Sequence, residues 1–227
     1  GNHDAWTPLS LEETGRLFPM NGMRSQRTDI GGLRLFLLDT ASWFAKSGKV
    51  FPCIERNRYD RGEMRTTGMP PEDIAWFARE AAACPLPAIV VTHAPADYRP
   101  AYPIATLPGG RPVSGPLTAP SAFVEDFIGR EEILRIIRGN SAITACFSGH
   151  WHIHDIFSRG GVHFVMTGAL REYPYEVRLA EYDGASFRVS THPLHVPELR
   201  RISYMEEWGN RGVEGTQEAR EFSFSIS

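Results

Sequence analysis

The chain is poor in cysteine, has no long apolar run, shows no excess of basic charge, and begins at Gly1 without an initiator methionine. Its three cysteines, Cys53, Cys84 and Cys146, are odd in number and have no paired spacing, so a disulfide framework is excluded. Cys146 sits inside an apolar run and reads as a small core residue. No stretch reaches the roughly 18 to 20 apolar residues that span a bilayer. No signal peptide is visible either, and the expectation is a cytoplasmic protein without a membrane span. Lys and Arg together number 24 against 27 Asp and Glu, a net charge of −3, so no broad face for a nucleic-acid backbone is expected. Internal repeats are absent as well.

What is present suffices for one substantial domain: 227 residues, 42% hydrophobic and 22% charged. Residues 5–32 are polar and rich in turn formers, and read as a connection with at most one short helix. Leu33 to Thr40 is apolar enough for a central strand. Thr66 to Asp73 reads as a helix start, with Pro70 and Pro71 in the first turn and acids where the helix dipole favours them. Ile74, Phe77, Ala78 and Ala81 continue it as a stripe. Leu86 to Val91 is a β-branched run that ends at Thr92-His93, and Ala142 to Phe147 is a second one that ends at Ser148-Gly149-His150-Trp151-His152. Both read as buried strands that deliver histidines at their carboxyl ends, where ligands gather in α/β sheets.

Between these strands, residues 94–121 form a long loop rich in proline and glycine, of the kind used as a functional lid. A helix capped by Ser121 and lined by Phe123, Phe127, Ile133, Leu134, Ile136 and Ile137 follows, with Gly129 as a weak point. Two hairpins come next, 155–158 with 162–166 and 175–182 with 187–191, the latter turned by Asp183-Gly184. Residues 197–227 are polar, lack periodicity and read as a surface tail. The domain is therefore placed at 1–196.

Three motifs carry chemistry: Gly1-Asn2-His3-Asp4, Thr92-His93-Ala94-Pro95 and Gly149-His150-Trp151-His152. Each is ambiguous alone. A His at a strand end is often a satisfied polar cap, and an H-x-H pair can be two side chains on one strand face. Gly149 favours the ligand reading, because glycine permits the turn that brings both imidazoles to one point. His154 alternates with that pair and is expected on the opposite face, while His163, His192 and His195 have no partner motif. Tyr98, Arg99, Tyr102 and Arg111 in the long loop, and Arg171, Tyr173 and Tyr175 after it, either reach a substrate or serve as solvated loop and packing residues.

In this order the motifs resemble the calcineurin-like metallophosphoesterases, whose signature runs D-x-H, G-D-x-x-D, G-N-H-D/E, H, G-H-x-H. The chain looks most like the compact bacterial class III-type phosphodiesterases, through the strand at 33–40 and the helix before Thr92-His93. The resemblance implies an α/β fold, a metallophosphoesterase-like αββα sandwich, whose first strands are expected upstream of Gly1. It implies two divalent ions, with Mn, Fe, Zn and Ni all open. Asn2, His93 and His150 match ligands of one metal and His152 a ligand of the other. His3 matches the residue that protonates the leaving oxygen, and Asp4 orients it. The implied partner is a small phosphorylated substrate, compatible with a mildly acidic protein because metal charge dominates a pocket locally.

An Asp and a His of the first metal and the bridging Asp have no counterpart here. The chain as it stands is therefore expected to hold at most one ion, weakly. An apolar sheet edge left by missing strands would favour self-association into a homo-oligomer. Two other readings compete: a non-catalytic scaffold of the same fold, and a metallo-β-lactamase-fold hydrolase suggested by His150-x-His152-x-His154-Asp155, whose last two residues are reversed from that family's block.

Overall fold

The computed structural model describes residues 25–51, 64–99, 101–102, 117–118, 127–170, 173–204 and 213–226. One strand in from the edge of the main sheet, β2 (Leu33–Leu38) alternates, with Leu33 and Leu35 on one face and Phe36 and Leu38 on the other. It stops two residues short of the expected end. The Asp39 carboxylate accepts hydrogen bonds from the Ala41 amide (3.0 Å) and the Ser42 hydroxyl (2.8 Å), a local turn that competes with the strand ladder. On its outer side lies β1 (Gln26–Ile30), antiparallel to β2, within the segment expected to be a connection. Its side chains are largely exposed, so no apolar periodicity announces it. Gly31 and Gly32, with φ of 57° and 82°, make the turn between them.

Strands β3 (Ser42–Ala45), β4 (Val50–Phe51) and β5 (Met64–Gly68) form a small separate sheet in the order β4-β3-β5. Thr66 to Gly68 therefore belongs to a strand, and helix α1 (Pro71–Ala82) begins only after Pro70, since two prolines favour extended backbone before the first turn. Glu72 and Asp73 fall in its first turn as expected. The main sheet continues with β6 (Ala88–Thr92), and a two-stranded piece follows from β7 (Ala101–Tyr102) and β8 (Leu117–Thr118). Helix α2 (Arg130–Gly139) carries the expected apolar residues Ile133, Leu134, Ile136 and Ile137, while Ser121 and Phe123 lie outside the described residues. Gly129 is not an interior weak point but the residue before the first turn, with φ of 91°.

Strands β9 (Ile143–Ser148), β10 (Asp155–Arg159) and β11 (Val162–Met166) complete a six-stranded sheet ordered β1-β2-β6-β9-β11-β10. Its inner strands β2, β6, β9 and β11 are parallel and its two outer strands antiparallel. Ile74, Phe77 and Ala81 of α1 and Ile133, Leu134, Ile136 and Ile137 of α2 pack on one face, against Phe36, Leu38, Val90, Ile143 and Cys146. Burial of a side chain such as Phe77 contributes about 1.5 to 3 kcal/mol. Burial also pushes the Cys146 thiol up to about 12, consistent with an inert core residue.

The other face is covered by a second sheet, ordered β12 (Glu176–Tyr182), β13 (Ser186–Pro193), β14 (Glu221–Ser225). Phe187, Val189 and Phe224 of that sheet meet Leu33, Ile89 and Ala145. The result is a layered α/β architecture with a mostly parallel central sheet. The polar stretch from 197 carries structure of its own: α3 (Pro197–Ser203) buries no side chain, while α4 (Gln217–Arg220) leads directly into β14. Among the described residues, no helix is long and apolar enough to cross a membrane.

Candidate metal centre

The four parallel strands end at one edge of the sheet, with Leu38 opposite Thr92, Val91 opposite Phe147, and Met166 opposite Ser148. The loops that follow them carry Asp39-Thr40, His93-Ala94, Gly149-His150 and Thr167-Gly168, so residues far apart in sequence converge there. The Gly149 amide donates to the His93 carbonyl (3.0 Å), and the Thr167 amide to the Ser148 carbonyl (2.8 Å), extending the ladder past the strands. His93 and His150 are brought together by that contact. His150 Nδ1 lies 3.0 Å from His93 Nε2, with the rings edge to face at 4.8 Å between centroids.

In that hydrogen bond one nitrogen donates and the other accepts, so the rings are neutral partners or share one proton. The same spacing suits a metal. Two nitrogens on neighbouring positions of an ion with metal–nitrogen bonds of about 2.0 to 2.1 Å lie roughly 3 Å apart. Imidazole nitrogens also match the first-row ions expected from the sequence. The pair thus fits two ligand positions of a single ion. Among the described residues no group of three or more His, Cys, Asp or Glu comes together to hold a metal, so His152 does not join them as a third donor. Asn2, His3 and Asp4 lie outside the described residues.

His150 and His152 both take left-handed backbone conformations, φ 68° and 56°. For residues with a Cβ this costs about 1 to 2 kcal/mol each. Such strain persists where the surroundings over-determine it. Here the Trp151 amide donates to the Gly149 carbonyl (2.8 Å), and the His154 amide to the Val213 carbonyl (2.9 Å), so both ends of the loop are tied.

His154 is indeed turned away from the pair, but as the centre of a buried polar network and not as a bystander. Its Nδ1 accepts from the Gly168 amide (3.1 Å) and from Arg178 Nε (2.9 Å), which assigns the ring proton to Nε2, beside Glu176 Oε2 at 3.1 Å. Glu176 also receives Arg220 on both oxygens (2.7 and 2.9 Å) and Arg200 on one (2.9 Å). Burial raises its pKa, yet these donors outweigh it and hold the carboxyl at about 2. Burial holds His154 below the ordinary histidine value, which favours the neutral ring. Sequence reading missed this cluster because charged residues on a hairpin and in a polar terminal stretch look solvated.

The remaining candidates resolve one by one. Arg99 is committed to the protein, pairing with Asp155 at 3.2 Å, donating to the Ile156 carbonyl and lying over the Phe157 ring. It is a partly buried residue held by the protein and not a solvated loop residue. With Asp155 so engaged and His154 in the network, the run at 150–155 does not present the ligand block of a metallo-β-lactamase. Tyr98 packs against Trp151, ring centroids 4.9 Å apart, beside the histidine pair. Tyr173 is buried against Tyr204. His163 stacks on Phe224 and His192 bonds Ser190, as bystanders do. Arg111, Arg171 and the Tyr102 side chain lie outside the described residues.

No sequence-family model matches the chain, and no curated protein sequence matches it. Among solved structures it is similar to a dimetal phosphatase from Danio rerio, with a TM-score of 0.59 and 12% identity, over 100% of this chain and 71% of that one. A candidate 5′-nucleotidase from Staphylococcus aureus aligns at a TM-score of 0.34 and 12% identity, over 89% of this chain and 29% of its own. A conserved Streptococcus pneumoniae protein predicted to be a phosphoesterase aligns at 0.25 and 18% identity, over 61% of this chain and 70% of its own. The first of these carries the fold, a mixed α/β arrangement with a mostly parallel central sheet that the chain shares with that dimetal phosphatase. The expected fold class stands.

Proposed function

We propose that the protein is a metal-dependent phosphoesterase, hydrolysing a phosphomonoester or phosphodiester. The observation that carries this reading is the His93–His150 pair, 3.0 Å between ring nitrogens, at the carboxyl ends of adjacent parallel strands in a fold shared with a dimetal phosphatase. In the full ligand set that the motifs imply, His93, His150 and Asn2 would hold one divalent ion and His152 would serve a second, the chain as it stands holding the first alone. Ions bound there supply Lewis acidity toward phosphoryl oxygens and a hydroxide near neutral pH. His3 gives its proton to the leaving oxygen, and Asp4 orients that ring. Trp151, next to His150 in sequence, packs on Tyr98 and so ties the loop that carries His150 to the chain that follows β6. With a net charge of −3, the chain takes a small phosphorylated substrate and not a polyanion.

The test uses bis-p-nitrophenyl phosphate and p-nitrophenyl phosphate with Mn, Zn, Fe or Ni, before and after chelation. Metal content is measured alongside turnover. The wild-type chain should bind metal, and His93→Ala and His150→Ala should lose metal and turnover together. A wild-type chain that takes up none of these ions and hydrolyses neither ester would leave the scaffold reading standing instead.

A further inference from the structure

Resting on that reading, we infer that Thr40 is the positioning residue of the His93–His150 pair. Thr40 follows β2 and is 1% exposed. Its Oγ1 accepts hydrogen bonds from two consecutive amides, His93 N at 3.2 Å and Ala94 N at 3.1 Å, across a sequence separation of 53 and 54 residues. A hydroxyl oxygen has two lone pairs, and both are used here on the backbone that turns the chain out of β6.

The consequence reaches the rings. The His93 peptide is held from both sides, its N–H by the hydroxyl of Thr40, which follows β2, and its carbonyl by the Gly149 amide that follows β9. A side chain of Ala94's own turn adds to this, since the Thr92 hydroxyl donates to the Ala94 carbonyl at 2.8 Å. His93 is thereby fixed relative to three neighbouring strands, and Gly149 carries His150 into register against it. Without the hydroxyl, the buried Ala94 amide and the half-buried His93 amide lose their acceptor and the turn must shift to find others. A ligand held about 1 Å out of place forfeits affinity even when the fold survives, which is why partners behind a ligand commonly cost 10- to 100-fold in metal affinity when removed.

Thr40→Val removes the acceptor at nearly constant volume, and Thr40→Ser restores it without the methyl group. Thr28→Val, on the exposed strand β1, is the control. Two readouts apply well below the melting temperature. The first is Co(II) affinity with its ligand-field absorption. Thr40→Val should bind about 10-fold more weakly or worse, with Thr40→Ser and Thr28→Val within about twofold of wild type. The second needs no metal: ring 15N shifts report the His93–His150 hydrogen bond, which Val should abolish and Ser should keep.

A Thr40→Val protein with wild-type Co(II) affinity, or with an intact ring hydrogen bond, overturns the assignment. If the wild-type chain binds no Co(II), the phosphoesterase reading suffers while the ring shifts still decide the role of Thr40. Should Thr40→Val not fold, amide exchange on the wild type decides. The His93 and Ala94 amides must then be protected; rapid exchange at both overturns the assignment.

Discussion

His154 Nε2 lies 3.1 Å from Glu176 Oε2, and neither side chain reaches solvent. Around that contact Arg200 and Arg220 complete the charge balance of the carboxylate. Removing one partner of such a cluster leaves the others desolvated and unpaired, which costs more than the pair contributes when intact. Glu176→Gln is therefore expected to destabilise the fold by about 3 kcal/mol, the lower end of the range for a broken buried pair, because both arginines keep roughly a quarter of their side chain exposed. Urea unfolding followed by far-ultraviolet dichroism measures it. A loss under about 1 kcal/mol would mean that the network is electrostatically slack.

The same cluster makes a pH prediction whose sign is fixed. Glu176 titrates at about 2 in the fold against 4.5 ordinarily, so its stabilisation is complete above 4.5 and is lost as the pH falls toward 2. His154, held below its ordinary 6.5, acts in the same direction from 6.5 downward, since only the unfolded chain takes up its proton. Asp155 opposes them: raised by burial to about 6, it binds its proton more readily in the fold, and its share of stability grows as the pH drops toward 3.8. The stability difference between wild type and Glu176→Gln isolates the first term. It should stay flat from pH 7 to 5 and shrink below 4.5; a difference that widens in acid would reverse the assignment.

Glycine spacing around His154 gives a third expectation. A Cβ on Gly168 would stand 2.6 Å from His154 Nε2, and one on Gly215, where φ is 70°, would stand 2.1 Å from the His154 carbonyl oxygen. Neither neighbour can yield without opening the network. Gly168→Ala and Gly215→Ala should each cost roughly 3 kcal/mol or more, or abolish soluble expression. Gly184→Ala is the contrast: φ is 99° but nothing lies within 4 Å, so only the backbone penalty of about 1 to 2 kcal/mol applies. Thermal melts of the three variants should separate by that margin, and equal melting temperatures would refute the packing argument.

Much of this fold was legible because buried parallel strands are apolar on both faces. Leu33 to Leu38, Ala88 to Thr92 and Ile143 to Ser148 announced themselves in that way, and so did the Asp183-Gly184 hairpin. Among the strands that were missed, two lie at sheet edges, while the small sheet of β3, β4 and β5 was missed because its strands are short and carry Ser, Thr and Gly. Gln26–Ile30 is mostly exposed and leaves no apolar stripe, whereas Phe222, Phe224 and Ile226 do alternate and pack on the core, a short pattern masked by the polar stretch before it. At the site, Thr92-His93 and Gly149-His150 could be read as strand ends, but Thr40 could not be linked to them. Its role depends on β2 lying beside β6, a fact of sheet order that no local spacing encodes. Nor could His154 be paired with Glu176 before the second sheet was placed.

The last prediction separates a hydrogen-bonded histidine pair from a metal-binding one. Without metal, the His93–His150 contact is a neutral or singly charged hydrogen bond, and losing it should cost about 0.5 to 1.5 kcal/mol. His93→Ala, His150→Ala and the double variant should then melt at similar temperatures, because either single change already removes the contact. Added metal changes the comparison. A ligand that binds only the folded state at 100 times its Kd stabilises by about 2.7 kcal/mol, which for a chain of this size raises the melting temperature by several degrees. Wild type should show that rise with Zn or Mn, and all three variants should lose it. Chelation should return the wild type to its metal-free value. If the variants keep the rise, the ion binds elsewhere and the pair is a structural hydrogen bond alone.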